Sequence, residues 1–166
     1  MPTIRIKDLK PNSNLKFDFK ARYAIHLDGT ISYGNIPESQ LYSLYKDGRV
    51  SGRLVEKLLS TIFCDLDLNP NTNGHYDLVH TKFGQSIEVR TVTARGTNTA
   101  PSYMIGKGRK YNYEEHLEKV KAISYFVLVD VTNTPLLLVG SFCDIDFLMG
   151  NKGKISYRAF LQNLPK

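Results

Sequence analysis

Three acidic residues and an arginine in the middle of the chain are the side chains whose types and order could do chemistry. Glu56 lies in GRLVEKLLSTIF, Asp77 opens DLVH, and Glu88 and Arg90 share SIEVRTVT. Carboxylate oxygens are the hard ligands that Mg²⁺ prefers, and two acids with waters and a phosphate oxygen would complete its octahedral shell. The pattern therefore predicts a Mg²⁺ site with Asp77 and Glu88 as ligands, and phosphodiester hydrolysis as its chemistry.

The local patterns around these residues predict the elements that hold them. SIEVRTVT alternates with period two, so Glu88 and Arg90 should project from one face of a strand. Residues 81–85 supply a glycine and polar groups, which favours a hairpin that brings Asp77 close to Glu88. Glu56 falls beside, and not on, the apolar stripe of an amphipathic helix. We therefore expect two strand acids together, with a helix acid beside them.

In this order of residues the chain resembles the PD-(D/E)XK nuclease superfamily, which includes many type II restriction enzymes, some homing endonucleases and junction resolvases. Glu56, Asp77 and Glu88-Val89-Arg90 carry the resemblance, the last in the place of the family's E-x-K. The resemblance implies a restriction-endonuclease-like α/β fold with a central mixed β-sheet flanked by helices. It also implies Mg²⁺-dependent cleavage of double-stranded DNA, with Glu56 supporting the metal site.

Arg90 departs from the family, which has a lysine there. Lysine can lose its proton when its pKa is depressed, whereas arginine stays charged at any ordinary pH. Arg90 could orient a water or stabilise charge on the scissile phosphate, but it could not act as a base. Three interpretations stay open: a tolerated variant, a degenerate inactive site, or an engineered substitution that traps a complex.

A glycine-rich polar segment after Arg90 is the part of the sequence most typical of DNA binding. Its lysines and arginines could neutralise phosphates, and its amide and hydroxyl groups could meet base edges. The predicted DNA contacts are Arg95, Asn98, Thr99, Ser102, Lys107, Arg109 and Lys110. The alternative is a flexible basic surface loop.

Length and composition set limits on these interpretations. The 166 residues fit one domain, so we predict a single nuclease domain over 1–166. No segment approaches the unbroken apolar length of a membrane span, so no membrane partner is expected. MPTIRIKDLK lacks the apolar core of a signal peptide, which predicts a cytoplasmic protein. The 22 basic and 16 acidic residues give a net charge of +6, which would attract a polyanion.

Apolar patterns predict the remaining elements. Strands are expected in TIRIKDL, in a hairpin around Asp28-Gly29, and in two central runs, SYFVLVDVT and TPLLLVGSF. Helices are expected from Pro37, in YEEHLEKVKAI with His116 at its surface, and in DIDFLMG and SYRAFLQNL. Cys64 and Cys143 belong to no Cys/His cluster, so we expect buried thiols and no structural zinc.

Two further classes of function compete with the nuclease. Within the superfamily, a site-specific restriction enzyme is favoured over a homing endonuclease or a junction resolvase, and a homodimer would let a compact subunit cut both strands. A DNA-binding module that has lost catalysis would bind duplex without cutting it. A basic protein-interaction domain would do neither, and its acid set would be a coincidence.

Overall fold

The two apolar runs in the second half of the chain form neighbouring strands of a mixed β-sheet. The structure is a computed structural model that describes residues 2–9, 14–28, 50–70 and 76–166. Within these ranges the strands are β1 (Thr3–Arg5), β2 (Tyr23–His26), β3 (Leu66–Leu68), β4 (Leu78–His80), β5 (Ser86–Val92), β6 (Thr97–Asn98), β7 (Tyr125–Asp130), β8 (Leu136–Phe142) and β9 (Lys154–Ile155). The α-helices there are α1 (Val50–Ile62), α2 (Tyr113–Ala122), α3 (Ile145–Met149) and α4 (Tyr157–Asn163).

The main sheet has the strand order β1-β2-β8-β7-β5-β4-β3, and β6 pairs separately with β9. β5 and β7 run parallel, with Ile87 opposite Tyr125, whereas β7 and β8 form an antiparallel pair. β7 stands in the middle of the order, and its residues from Phe126 to Asp130 are buried. This is the burial expected of a strand covered on both faces. The predicted architecture, an α/β fold with a central mixed sheet flanked by helices, is confirmed.

Separate apolar cores cover the two faces of this sheet. On one face, α1 packs against alternate residues of β5, β7 and β8 through Val55, Leu58, Leu59 and Ile62. On the other face, the helices α2, α3 and α4 contribute Val120, Leu148 and Phe160 to a core with Val92, Phe126 and Leu128. Neighbouring residues of a strand point to opposite faces, so β5 and β7 supply side chains to both cores. None of the described helices is long and apolar enough to cross a membrane.

β4 and β5 form the hairpin that the sequence predicts between Asp77 and Glu88. Leu78 lies opposite Ile87, and Val79 lies opposite Ser86. The turn contains Gly84 at φ +64°, a backbone conformation that residues with a Cβ adopt at a cost. The register of the hairpin is thereby set so that Asp77 comes opposite Glu88.

The N-terminal predictions are confirmed only in part. TIRIKDL forms β1 and then a 3₁₀ turn over Ile6–Asp8, so the strand is shorter than predicted. The first run of the predicted Asp28-Gly29 hairpin forms β2, which pairs with β1 and β8. The second run of that hairpin and the helix predicted from Pro37 lie outside the described residues.

The predicted burial of Cys64 and Cys143 and the predicted exposure of His116 are wrong. Cys64 and Cys143 are free and exposed, because each follows the end of an element, α1 and β8 respectively, where packing against the sheet stops. His116 is fully buried although α2 was expected to carry it at the surface. The polar segment that precedes α2 folds over this part of the helix and bonds to the imidazole, as described below.

Asp65 and His80 tie the edge of the sheet to the N-terminal segment. The Asp65 carboxylate accepts the backbone N–H of Phe17 at 2.9 Å, and its second oxygen lies 3.0 Å from Nε2 of His80. The N–H of Phe83 donates to Nδ1 of His80 at 3.4 Å, so Nε2 carries the proton that faces Asp65. Both side chains are buried. A carboxylate in this position satisfies two donors that would otherwise be buried without partners.

Replacing Asp65 should therefore destabilise the fold strongly. Asp65→Ala is expected to lower the free energy of unfolding by roughly 2–5 kcal/mol, since each buried donor left unpaired costs about 1–3 kcal/mol. Asp67 is exposed two residues later, so Asp67→Ala is the matched control and should change stability by less than about 0.5 kcal/mol. Urea unfolding of both variants measures the difference. Equal effects would show that the Asp65 contacts contribute nothing specific.

Candidate functional site

The acid cluster (Glu56, Asp77 and Glu88) forms where β4 begins, at the end of its ladder with β5, which continues beside β7. Asp77 precedes the first residue of β4, and its N–H donates to the carbonyl of Ile87 at 2.9 Å. Its carboxylate oxygen Oδ2 then accepts the backbone N–H of Val89 at 2.8 Å. The Asp77 carboxylate thus accepts a backbone hydrogen bond that the carbonyl of a further β4 residue would otherwise accept. This fixes the Asp77 carboxylate beside Glu88, as the sequence predicts.

Glu56 reaches the same place from α1. Its helix buries Val55 and Leu59 in the core, and Glu56 lies beside this apolar stripe, partly buried. The Glu56 carboxyl interacts directly with Asp77, and this contact favours the protonated form of Glu56. The charge of Glu88 acts on Glu56 as well. The structure therefore brings together all three acids of the predicted site.

Crowding and burial raise the pKa values of these three carboxyl groups. Burial raises the pKa of Glu56 to about 8, and the charges of Asp77 and Glu88 add to the shift. Burial raises the pKa of Glu88 to about 7, with a further contribution from the Asp77 charge. Burial also raises the pKa of Asp77, against the opposing hydrogen bond from Val89. The cluster carries repulsion between like charges that a bound cation would relieve.

Two basic residues stand beside the acids on one face of the sheet. Arg90 projects from the same face of β5 as Glu88, as its spacing predicts, and its Nη2 lies 2.9 Å from Oε1 of Glu88. Lys119 lies on α2, which covers that face, and its charge lowers the pKa values of Asp77 and Glu88. The sequence reasoning missed Lys119. Lys119 is three residues after His116, so it lies next to the buried side of α2. The sequence does not indicate which face of the sheet α2 covers, and so it does not place Lys119 near the acids.

The donor set fits a magnesium ion held by few protein ligands. Among the described residues, no group of three or more His, Cys, Asp or Glu side chains is arranged to hold a metal ion. Mg²⁺ keeps several waters and is commonly bound through one or two carboxylates. One oxygen of Asp77 is held by Val89, and one oxygen of Glu88 is held by Arg90. The second oxygens of this pair could serve as metal ligands, so the residues fit the predicted pair Asp77 and Glu88 better than a closed cage.

The predicted DNA contacts lie in the basic segment (residues 93–112), which joins β5 to α2. The exposed members are Arg95, Ser102, Lys107, Arg109 and Lys110. Asn98 is partly exposed, and its side-chain oxygen accepts the N–H of Ala100 at 2.8 Å. Five of the seven predicted contacts are therefore fully accessible, and contact with DNA stays a prediction for them and for Asn98.

The prediction that Thr99 contacts DNA is wrong. Thr99 is only 2% exposed, and its hydroxyl donates to the carbonyl of Leu148 at 2.6 Å. The same oxygen accepts from Nε2 of His116 at 3.1 Å, while the Tyr111 hydroxyl donates to Nδ1 of His116 at 2.6 Å. Burial lowers the pKa of His116, which favours this neutral imidazole. Thr99 therefore anchors the basic segment to α2 and α3 and cannot reach a base edge.

No family model, curated protein or solved structure matches the chain. The resemblance to PD-(D/E)XK nucleases therefore depends on the order and setting of the acids alone. What supports a function is the chemistry of the acid cluster and its surroundings.

The raised pKa of Glu56 predicts a pH-dependent change in stability. Its pKa is about 8 in the folded protein against an ordinary 4.5, so the folded state binds more protons between these values. Stability contributed by this group therefore falls as pH rises through that window. Glu56→Gln removes this titration. In metal-free buffer, the melting temperature of the variant minus that of the wild type should therefore increase by several degrees between about pH 5 and about pH 9.

The control for this measurement is Glu118→Gln, which changes an exposed acid on α2. Its melting temperature should follow the wild type at every pH. Saturating Mg²⁺ should stabilise the wild type more at high pH than at low pH, because protonated carboxyls do not bind metal. Parallel pH curves for Glu56→Gln and the wild type would contradict the shifted pKa.

Proposed function

We propose that the chain is a Mg²⁺-dependent endodeoxyribonuclease with a restriction-endonuclease-like fold, which hydrolyses phosphodiester bonds in double-stranded DNA. The observation that carries the proposal is the convergence of Glu56, Asp77 and Glu88 at the start of β4, with Arg90 and Lys119 beside them. Acids that raise one another's pKa values, next to cations on one face, are typical of sites that bind a metal and a phosphate.

Each acid has a separate role in this proposal. Asp77 and Glu88 would hold Mg²⁺ through their carboxylates, which Val89 and Arg90 orient. Glu56 is protonated beside Asp77 below its raised pKa of about 8, and its charge would support the site when that proton is lost. When bound, the metal would supply an acidified water and a Lewis acid for the phosphate. The bond from Val89 keeps the Asp77 carboxylate oriented throughout.

Arg90 and Lys119 together would supply the positive charge that a single lysine supplies in the family. Arg90 stays protonated, so it can neutralise charge on the scissile phosphate but cannot take a proton from water. Lys119 supplies an ammonium group from α2 to the same face, where its charge already acts on Asp77 and Glu88. A phosphate that contacts the acid cluster through a metal would lie within reach of both cations. Arg90 is then a native phosphate-binding residue, and Lys119 takes the place of the missing lysine.

The basic segment supplies a surface for the duplex next to the acid cluster. It continues directly from β5, and β6 within it pairs with β9, so its backbone is held against the domain. Its exposed cations would bind phosphates and its polar side chains would lie near base edges, the contacts being Arg95, Asn98, Ser102, Lys107, Arg109 and Lys110. Cutting both strands calls for two sites, so the working form is a homodimer. A site-specific restriction enzyme is the favoured type, with a homing endonuclease or a junction resolvase as the alternative.

A DNA-binding module without catalysis is the second candidate. The residue at position 90 favours it, because arginine cannot replace a lysine that must lose its proton. A basic protein-interaction domain is the third. In a plasmid digest with Mg²⁺ the nuclease cuts, the module shows only salt-sensitive DNA binding, and the interaction domain does neither.

Removing a metal ligand should abolish cleavage and leave binding nearly intact. Asp77→Ala is expected to reduce the single-turnover cleavage rate below detection while DNA affinity stays within about tenfold, since metal ligands serve chemistry more than docking. Asp67→Ala, an exposed acid on the neighbouring edge strand, is the control and should cut at the wild-type rate. Full activity in Asp77→Ala would contradict the site.

Lys119 should matter more than its neighbour on the same helix. Lys119→Ala is expected to lower the single-turnover rate about a hundredfold, the usual effect of losing one group that stabilises developing charge. Lys121 is exposed on the other side of α2, so Lys121→Ala should change the rate less than about twofold. DNA affinity should be the same in both variants within a fewfold. Equal rates for the two variants would exclude Lys119 from the site.

A further inference from the structure

An open aromatic cleft of about 340 Å³ lies at the turn of the β4–β5 hairpin, away from the acid cluster. Its volume is at the small end of the range of ligand sites, roughly 300–1,000 Å³. Phe83 in the turn, Phe19 in the N-terminal segment and Tyr125 at the start of β7 are among the residues that line it. Phe83 is 65% exposed, so its ring presents apolar surface to the cleft.

The aromatic rings of the cleft are held in place by buried polar groups. The Phe83 ring stacks on the His80 imidazole with centroids 5.2 Å apart and planes 14° apart. His80 is only 4% exposed, and it is fixed by Asp65 on one nitrogen and by the Phe83 N–H on the other. Phe19 and Tyr125 form a second stack, with centroids 4.0 Å apart. The platform is therefore formed before any ligand binds, which lowers the entropy cost of binding.

The polar groups around the cleft suit a planar ligand that carries negative charge. Lys20 lines the cleft, and Nζ of Lys82 lies 5.2 Å from the centroid of the Phe83 ring. Gln85 and Asp18 also line it, and their oxygen and amide groups could bond to the edge of a heterocyclic base. Aromatic platforms flanked by lysines bind nucleic acid by stacking bases and neutralising phosphates.

We propose that this cleft binds one unpaired base of a nucleic acid strand, stacked on Phe83, with Lys20 and Lys82 at the adjacent phosphates. Bases inside a duplex are covered on both faces, so the base must come from a single-stranded end, a gap or a flipped nucleotide. The inference rests on the proposed function for its occupant, and it names the form of DNA that the nuclease holds beside its site.

The position of the cleft suits this role. Gln85 in the cleft is three residues before Glu88 on the same chain segment, a separation of about 10 Å at about 3.3 Å per residue. The cleft residues His80 and Tyr125 share their strands with residues that pack under α1, the helix that carries Glu56. A strand held by its base here would run within a few nucleotides of the acid cluster.

A tryptophan at position 83 gives a direct test, because the natural chain has no tryptophan. Phe83→Trp keeps the platform, and stacking of a base on the indole should quench its fluorescence. The titrant is a short single-stranded oligodeoxynucleotide in metal-free buffer, where nothing is cut. The same strand with abasic residues is the second titrant, and an RNA strand is the third, which separates the two sources of a base. We expect quenching by the DNA strand, and none by the abasic strand.

Affinity measurements with a labelled strand complete the test. Phe83→Ala should weaken binding of the base-containing strand about tenfold or more, and Phe83→Leu should weaken it nearly as much, since an aliphatic side chain cannot stack. Tyr113→Ala removes an exposed aromatic from α2 and should leave affinity unchanged. Unaltered melting temperatures would show that these variants fold.

Three results would overturn the proposal. They are wild-type affinity in Phe83→Ala, equal quenching by the abasic strand, and no quenching by the DNA strand. If the wild type cleaves duplex DNA and one of these results is also found, the proposed base binding in the cleft is rejected and the proposed nuclease function is retained. Quenching by base-containing strands without any Mg²⁺-dependent cleavage would retain the cleft and remove the nuclease.

Discussion

The hydrogen bond from the Val89 N–H to the Asp77 carboxylate is the contact on which the acid cluster depends. A β-strand that ends beside a longer partner leaves backbone donors that must find another acceptor. Here a side chain supplies the acceptor, so the same residue both ends the β4–β5 ladder and presents a carboxylate beside Glu88. The strand end also leaves room for Glu56 to approach from α1. Because a side chain replaces a backbone carbonyl as the hydrogen-bond acceptor at this position, three acids can meet there.

This arrangement carries an electrostatic cost that the surroundings offset only in part. Burial and mutual repulsion raise the pKa values of Glu56 and Glu88 to about 8 and about 7. Arg90 and Lys119 oppose the shift of Glu88, and the N–H of Val89 opposes that of Asp77. A structural ion-pair network would be expected to lower these pKa values instead. Functional sites commonly carry strain of this kind, and the cation of the proposed function would relieve it.

Two buried histidines, His80 and His116, fix the aromatic cleft and the basic segment through the same kind of hydrogen bonding. His80 is fixed between Asp65 and the Phe83 N–H, and it supports the aromatic ring at the hairpin turn. His116 is fixed between Thr99 and Tyr111, and it holds the basic segment against the helices. In each case the two ring nitrogens of one imidazole bond to different residues, which links two parts of the chain. Both candidate nucleic-acid surfaces are thereby attached to the rigid sheet.

The sequence by itself determined the features that depend on neighbouring residues. Period-two alternation gave the common face of Glu88 and Arg90, the glycine in residues 81–85 gave the hairpin, and continuous apolar runs gave β7 and β8. Local chemistry also identified the three acids as a set. These predictions succeeded because strand pleating and turn geometry are properties of a few consecutive residues.

Only the tertiary structure decided which faces meet. The parallel pairing of β5 with β7 and the placement of α2 over the face of Glu88 bring Lys119 to the site. The packing of residues 93–112 against α2 and α3 buries Thr99 and His116, which sequence reasoning had left at the surface. These contacts join residues far apart in the chain, and their choice depends on the summed burial of apolar area and not on any local pattern. For the same reason, the order of the acids and the place of Arg90 could be predicted from the sequence, but the approach of Lys119 could not.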